Sequence, residues 1–359
     1  MPGNSFGKIF KITTWGESHG KGVGVVIDGC PPGIPLQEAD VQSMLNRRRP
    51  GSSVASTGRK EPDQAVIMSG VFEKMTTGTP LMIMVHNQDA DPAAYAPYAD
   101  LFRPGHGDIT YQAKYGIRDW RGGGRASSRE TVARVAAGAV AKLVLAKKNI
   151  AIFAYTIELG GIKAETRDLG VIGRNMFFCP DMAAAKKMEA RVLRVKEQGD
   201  SVGGVVEILV RNVPPGLGEP VFDKLDADLA KALMSIGAIK GVEIGAGFKA
   251  AQMTGSQNND PITPDGFLSN NSGGILAGIS NGDDLLIRVA VKPIPSIGIL
   301  QNTVDRANRP QTILMKGRHD VAAIPRINVV CEAMVSLVLA DHLLRQRTTL
   351  RHGRCCPSG

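Results

Sequence analysis

The sequence predicts an α+β protein with two topologically similar halves, arranged sheet–helix–sheet around central buried helices. Three observations predict it. Short aliphatic, β-branched runs alternate with amphipathic helical patterns along the chain. Two long segments, 129–148 and 326–346, are apolar nearly all round, the mark of a helix buried on every side. An internal echo relates the two halves.

Residues 23–28, 64–70, 81–86, 202–213 and 285–292 read as strands, flanked by Gly and Pro. Residues 38–47, 181–198 and 223–236 read as amphipathic helices, the second closed by Gly199. The echo appears in three places. Pro31-Pro32-Gly33-Ile34 recurs as Pro214-Pro215-Gly216-Leu217. The stretch from Gly78 to Val85 resembles that from Gly282 to Val289. Gly124-Arg125 with its apolar helix resembles Gly317-Arg318 with its own. The offsets of 183, 204 and 193 residues agree to within loop length. Chance matching of Gly/Pro turns is the competing explanation. The halves span about 1–150 and 200–345 of a single domain 1–347, followed by a tail 348–359 expected to be flexible. The echo also expects Arg125 and Arg318 to occupy related places.

At 359 residues the chain can bury a large core. Apolar residues are 43% and charged residues 21%, which excludes a disordered or fibrous chain. Aromatics are only 5%, so the core must be aliphatic. The 42 glycines and 21 prolines place much of the structure in turns. The formal charge of +9 points to an anionic partner: nucleic acid, membrane or a small polyanion. Residues 1–150 hold +6 of it and 316–359 hold +4, the middle being near neutral. Much of the excess sits beside glycine turns (Arg47, Arg48, Arg49, Arg103, Arg118, Arg121, Arg125, Arg129).

The five cysteines show no metal-ligand spacing, and their odd number argues for a reducing compartment. The N-terminus lacks the apolar core of a signal peptide. No uninterrupted apolar run approaches membrane-spanning length. A soluble cytoplasmic protein that spans no membrane is the expectation.

Arg121-Gly122-Gly123-Gly124-Arg125-Ala126-Ser127-Ser128-Arg129-Glu130 is the strongest candidate site. Glycines allow close backbone approach. Ser127-x-x-Glu130 has the capping-box pattern at the start of a helix. Free N–H groups, the helix dipole, two hydroxyls and three arginines suit an anion. The alternative is a well-capped buried helix with solvated arginines. No P-loop and no Rossmann turn occurs.

Three histidines lie in Gly/Arg turns: His19 in Gly16-Glu17-Ser18-His19-Gly20, His106 in Arg103-Pro104-Gly105-His106-Gly107-Asp108, and His319 in Gly317-Arg318-His319-Asp320. Imidazoles donate protons near neutral pH, while a lone histidine is equally read as a surface or satisfied core residue; no metal-ligand pair accompanies them. Arg47-Arg48-Arg49 ends a helix. It is either a set of dipole-favoured cations or a clamp in which one or two arginines serve. Lys292-Pro293-Ile294-Pro295-Ser296 is a stiff loop, read equally as a wall for a flat cofactor or as a rigid connection.

Six segments together resemble the chorismate synthase family: the GESHG turn with its strand and Pro31-Pro32-Gly33, the Arg-Arg-Arg-Pro-Gly run, Phe102 to His106, RGGGRASSRET, Lys240 to Gly245, and Lys316 to Asp320. They keep family order over residues 5–347. The resemblance implies conversion of 5-enolpyruvylshikimate 3-phosphate to chorismate by 1,4-anti elimination of phosphate. It also implies reduced FMN as cofactor, a β–α–β sandwich and a homotetramer. Carried over, His19 resembles the histidine that protonates the departing phosphate, with Ser18 beside it. His106 resembles the histidine that hydrogen-bonds or protonates the flavin. Asp320 resembles the carboxylate that helps proton movement at flavin N5. Arg48 and Arg129 resemble substrate-anion ligands, Arg48 also at the family's NADPH position. Flavin contacts resemble Arg125, Ala126, Ser127, Gly237, Ala238, Ala277, Lys292, Pro293, Ile294, Pro295, Ser296 and Arg318, with Ser127 also among the catalytic positions.

Val54, Ile294 and Gly237 depart from common family choices, a basic residue, a hydroxylated one and a side-chain amide respectively. No added reductase segment is evident, so an external reductant or flavin reductase is expected. A nucleic-acid binder is the competing class, weakened by the lack of aromatics near the basic turns. A different phosphate-sugar enzyme is weakened by the missing P-loop and metal ligands.

Overall fold

The computed structural model describes residues 3–49, 55, 61–315 and 320–349. Strands β1 (Ser5–Phe6), β2 (Lys11–Gly16), β3 (Gly22–Asp28), β4 (Ala65–Ser69) and β5 (Leu81–His86) form one antiparallel sheet, in the order β1-β2-β3-β5-β4. Alternation gives it a dry face. Val23, Val25 and Ile27 of β3 pair with Val85, Ile83 and Leu81 of β5, and all six are at most 1% exposed.

Strands β6 (Ala151–Leu159), β7 (Ile162–Lys163), β8 (Gly204–Arg211), β9 (Ile239–Ile244) and β10 (Leu285–Val291) form the second sheet, in the order β9-β10-β8-β6-β7. Val206, Ile208 and Val210 of β8 pair with Val289, Ile287 and Leu285 on its buried face. The two sheets share one strand order. β2-β3-β5-β4 corresponds to β6-β8-β10-β9, and the Pro-Pro-Gly turns follow β3 and β8. The fold is thus pseudo-symmetric at the level of topology, as the echo predicts.

Between the sheets run α1 (Glu38–Arg48), α3 (Thr131–Ala146), α5 (Leu225–Met234) and α6 (Ile324–Thr349). Helix α2 (Asp108–Tyr115) lies in the loops between β5 and α3, and α4 (Met182–Glu197) connects β7 to β8. Helix α3 packs on β3 and β5, and α6 on β6 and β8. The two cross at Gly138 and Ala333, where a Cβ on Gly138 would lie 2.3 Å from the Ala333 Cβ. Helix α6 is long and apolar enough by composition to cross a membrane, which the reading of uninterrupted runs overlooked; it is buried inside the fold over Ile324–Gln346.

Strands β1, β2, β6, β7 and β9 are not among those expected from the sequence. In β2, Ile12 and Thr14 face inward while Lys11 and Thr13 face out, and a threonine on the buried face blurs the alternation. The capping box also fails. The Ser127 hydroxyl accepts from Arg129 N at 3.4 Å, capping a 3-10 turn at Ser128–Glu130, and α3 starts at Thr131. The Glu130 carboxylate turns instead to Thr14 Oγ1 (3.1 Å) and Arg134 Nε (2.8 Å). From residue 350 onward the tail lies outside the described residues.

Candidate active site

Both central helices start at one cleft of about 940 Å³. Their N-terminal N–H groups and dipoles favour negative charge there. The first half contributes the N-terminal segment around Asn4, the His19 turn, Arg48, the Arg103–Gly107 loop and residues 125–131. The second half contributes the end of α5 through Ala238, the loop after β10, and residues from Asp320 into α6.

Gly122, Gly123 and Gly124 have φ of +66°, +91° and +53°. Only glycine holds this left-handed path at low cost. Two of them also touch the histidines. A Cβ on Gly122 would lie 2.3 Å from Cε1 of His19 and 3.3 Å from the Ser18 Oγ. A Cβ on Gly123 would lie 2.6 Å from Cε1 of His106. The two histidines, 87 residues apart in sequence, therefore pack on consecutive glycines. His19 also meets the Tyr95 ring edge-on at 5.2 Å.

His106 Nδ1 is 3.0 Å from Asp108 Oδ1. Arg103 grips the same carboxylate through Nε (2.7 Å) and Nη2 (2.9 Å). Burial pushes the Asp108 carboxyl up, but the hydrogen bonds from Arg103 and His106 and the Arg103 charge outweigh it. They hold Asp108 far below the usual carboxylate range.

The arginine run separates into roles. Arg48 is 2% exposed and lines the cleft. It donates to Asp63 Oδ2 at 2.9 Å and to Thr131 Oγ1 at 3.3 Å. Burial, opposed by Asp63 and assisted by the charges of Arg326 and Arg129, pulls its pKa down to about 10, so it stays cationic at neutral pH. Arg47 turns away and forms a two-pronged pair with Glu332 (2.9 and 2.8 Å). Arg129 lines the cleft and is held by Asn87 Oδ1 at 2.8 Å, by Asp63 and by Glu61 at 3.6 Å. Arg125 donates to Thr14 Oγ1, Asn4 Oδ1 and Gly16 O. Arg121 is not brought into the site; Asp119 holds it at 2.8 Å, half exposed.

Among the other predicted residues, Ser18, Ala126, Ser127, Gly237, Ala238, Lys292, Ile294, Pro295, Ser296 and Asp320 line the cleft. Lys292 Nζ donates to Gly105 O at 2.6 Å, tying the stiff loop to the His106 turn. Burial and the nearby Lys240 charge lower its pKa. Two predicted residues do not line it. Pro293 is skipped, and Ala277 sits in the turn joining Ile275–Leu276 to Ile279–Ser280, the following Gly278 packed on Lys224. The sequence places Ala277 in a glycine turn, and nothing local reveals which way that turn faces. Val54, Arg318 and His319 lie outside the described residues.

The structure adds residues that sequence reading did not single out. Arg326 Nη1 pairs with Asp320 (2.9 and 3.2 Å), and its Nη2 donates to Ser128 Oγ at 3.1 Å. Arg134 reaches Ser235 Oγ at 2.6 Å, and Lys231 adds another cation. Asp63 and Glu61 are the buried acids behind the arginines. Only Asp108 carried a legible signal, its spacing from Arg103 and His106 in one short turn.

Comparison with known proteins points to one family. The chorismate synthase family model matches residues 10–344. The chain is 69% identical over 348 residues to a chorismate synthase of Desulfosudis oleivorans, covering 97% of this chain and 98% of that one. It is 62% identical over 346 residues to a chorismate synthase of Desulfatibacillum aliphaticivorans, covering 96% and 97%. A crystal structure of chorismate synthase superimposes with a TM-score of 0.76 at 34% identity, covering 95% of this chain and 93% of that one. A cleft with two histidines on a glycine loop, at the mouths of two central helices, is thus set in a chain similar to these proteins over nearly its whole length, and the chain belongs to the chorismate synthase family.

Proposed function

We propose that this cleft converts 5-enolpyruvylshikimate 3-phosphate to chorismate and phosphate by 1,4-anti elimination, the last common step toward the aromatic amino acids. The observation that carries the reading is the pair His19 and His106, held on Gly122 and Gly123 inside a cation-rich cleft. The substrate bears one phosphate and two carboxylates. The cleft answers with Arg48, Arg125, Arg129, Arg134 and Arg326 and two helix N-termini.

The residues present suit reduced FMN. The stiff Ile294-Pro295-Ser296 wall lies against the His106 turn, where a Cβ on Gly105 would be 3.1 Å from the Pro295 Cβ. Met315, Ile327, Val330 and Met334 add apolar surface, and Arg125 with Ser127 offers donors for a phosphate. When bound, reduced FMN supplies electron density without net oxidation. His19 donates the proton that the departing phosphate needs, with Ser18 beside it. His106 holds or gives a proton at the flavin, and Asp320, set by Arg326, assists proton movement there. The arginines stabilise the charge that develops on the leaving group.

The remaining proposals are a single catalytic domain over 1–347, a homotetramer, a cytoplasmic location and reduction of the flavin by an external reductant, with NADPH as its source. Anaerobic turnover of 5-enolpyruvylshikimate 3-phosphate with photoreduced FMN tests the reading: chorismate absorbance is expected, and its absence overturns it. Turnover on NADPH and oxidised FMN alone would overturn the external reductant.

A further inference from the structure

We infer that Asp108 is the positioning residue of His106: it fixes the imidazole with Nδ1–H turned to its carboxylate, leaving Nε2 as the nitrogen free for chemistry. The inference rests on the reading of His106 as a working histidine of the cleft.

Three groups meet at one point. His106 Nδ1 lies 3.0 Å from Asp108 Oδ1 and 3.1 Å from Arg103 Nη2. The guanidinium has only donors, so it cannot accept from the ring, and its own bond goes to Oδ1 at 2.9 Å. The carboxylate has only acceptors while ionised. The ring proton therefore sits on Nδ1 and points at Oδ1. The other oxygen, Oδ2, is taken by Arg103 N (3.1 Å) and Nε (2.7 Å). The carboxylate cannot swing away, and its side chain is 3% exposed. As the first residue of α2 it also complements the helix dipole.

The groups facing this pair from neighbouring elements are few. Arg118 Nη1 stands 3.8 Å from Oδ1. Lys292 reaches the same turn at Gly105 O. The Tyr95 ring lies under Arg103 at 5.8 Å, and Gly123 closes the ring's other edge. Asp108 is the one anion against the ring among the described residues. Its carboxylate sets which ring nitrogen is exposed.

Asp108→Asn keeps the shape and removes the charge. An amide NH₂ facing Nδ1 favours the opposite tautomer, as in the serine-protease triad when its aspartate is made an asparagine. The expected result with photoreduced FMN is a kcat lower by on the order of 10²-fold, with KM and FMN affinity changed less than about threefold. Ring ¹⁵N NMR shifts of His106 should show the Nδ1–H pattern in the wild type and lose it in Asp108→Asn. Asp108→Glu retains the anion and its pair with Arg103, so it should fold and keep the wild-type ring pattern. Wild-type kcat in Asp108→Asn, or a loss of kcat with an unchanged ring pattern, overturns the inference. If Asp108→Asn does not fold, a changed ring pattern in Asp108→Glu overturns it instead. His106→Ala is assayed alongside: full activity there overturns the reading of His106, whatever Asp108→Asn does.

Discussion

Asp63 stands between Arg48 and Arg129 with one carboxylate oxygen on each guanidinium: Oδ2 accepts from Arg48 at 2.9 Å, and Oδ1 accepts from Arg129. Asp63 is wholly buried and both arginines are at most 3% exposed. Burial pushes its carboxyl up, and the two guanidinium charges overcome this and hold it below the ordinary value. Asp63→Asn leaves two buried cations close together. Removing one partner of a buried pair costs roughly 3–5 kcal/mol. Urea denaturation should register that loss. In any folded fraction the KM for substrate should rise more than kcat falls, because the arginines lose their register. A variant as stable as wild type with unchanged KM would rule out this role.

The His19 site gives a second prediction. Gly122→Ala drives a methyl onto the imidazole, 2.3 Å from Cε1, at φ +66°. A non-glycine residue in this region costs about 1–2 kcal/mol, and the histidine must also move. Turnover should fall by at least 10²-fold, as far as in His19→Ala, while FMN binding largely persists in both. Retained turnover in Gly122→Ala would show that the loop does not set the histidine. Loss of folding in His19→Ala would make that residue part of the core.

How much of this was legible follows from particular residues. The echo found the shared strand order because Pro-Pro-Gly and Gly turns are local signals, readable without knowing their partners. The arginines of the glycine loop were legible as a group but not one by one. Arg47, Arg48 and Arg49 look alike in sequence, yet Arg48 lines the cleft and Arg47 pairs with Glu332. That difference is set by acids 15 and 285 residues away. Asp63 and Arg326 carry no motif of their own, and their roles exist only once α1, α3 and α6 are packed. Ala277, a position given by motif resemblance alone, does not line this cleft within the chain.

Acid stability should depend on Glu332, which joins three helices. It accepts from Arg47 of α1 and, at 3.1 Å, from Lys142 of α3. Burial raises its pKa, but these cations win and depress it. A carboxyl depressed in the folded state stabilises above its unfolded value of about 4.3 and loses that contribution as pH falls through its folded value. Glu332→Gln should therefore cost most at neutral pH, about 2–4 kcal/mol. That is somewhat under the cost for a fully buried pair, since both cations are a third exposed. Its stability should converge with wild type as pH drops below about 4. Parallel pH curves in urea unfolding would contradict this.

The crossing of α3 and α6 makes opposing forces measurable. In most helix interiors Gly→Ala gains about 0.5–1 kcal/mol by cutting unfolded-state entropy. At Gly138 the new methyl would meet Ala333 at 2.3 Å from its Cβ and 2.5 Å from its Cα. The Cα is backbone, so the helices must separate. Overpacking costs roughly 1–3 kcal/mol and should win, making Gly138→Ala less stable than wild type. Ala333→Gly alone should also destabilise, through helix propensity and a small void. The two changes share one contact, so they should not add: the double variant should recover about 1 kcal/mol or more relative to the sum. Both helices begin at the cleft, so a splayed crossing should also lower turnover in Gly138→Ala, and the double variant should restore part of it. Additive stabilities would mean that the contact is relieved by bending rather than borne by this pair.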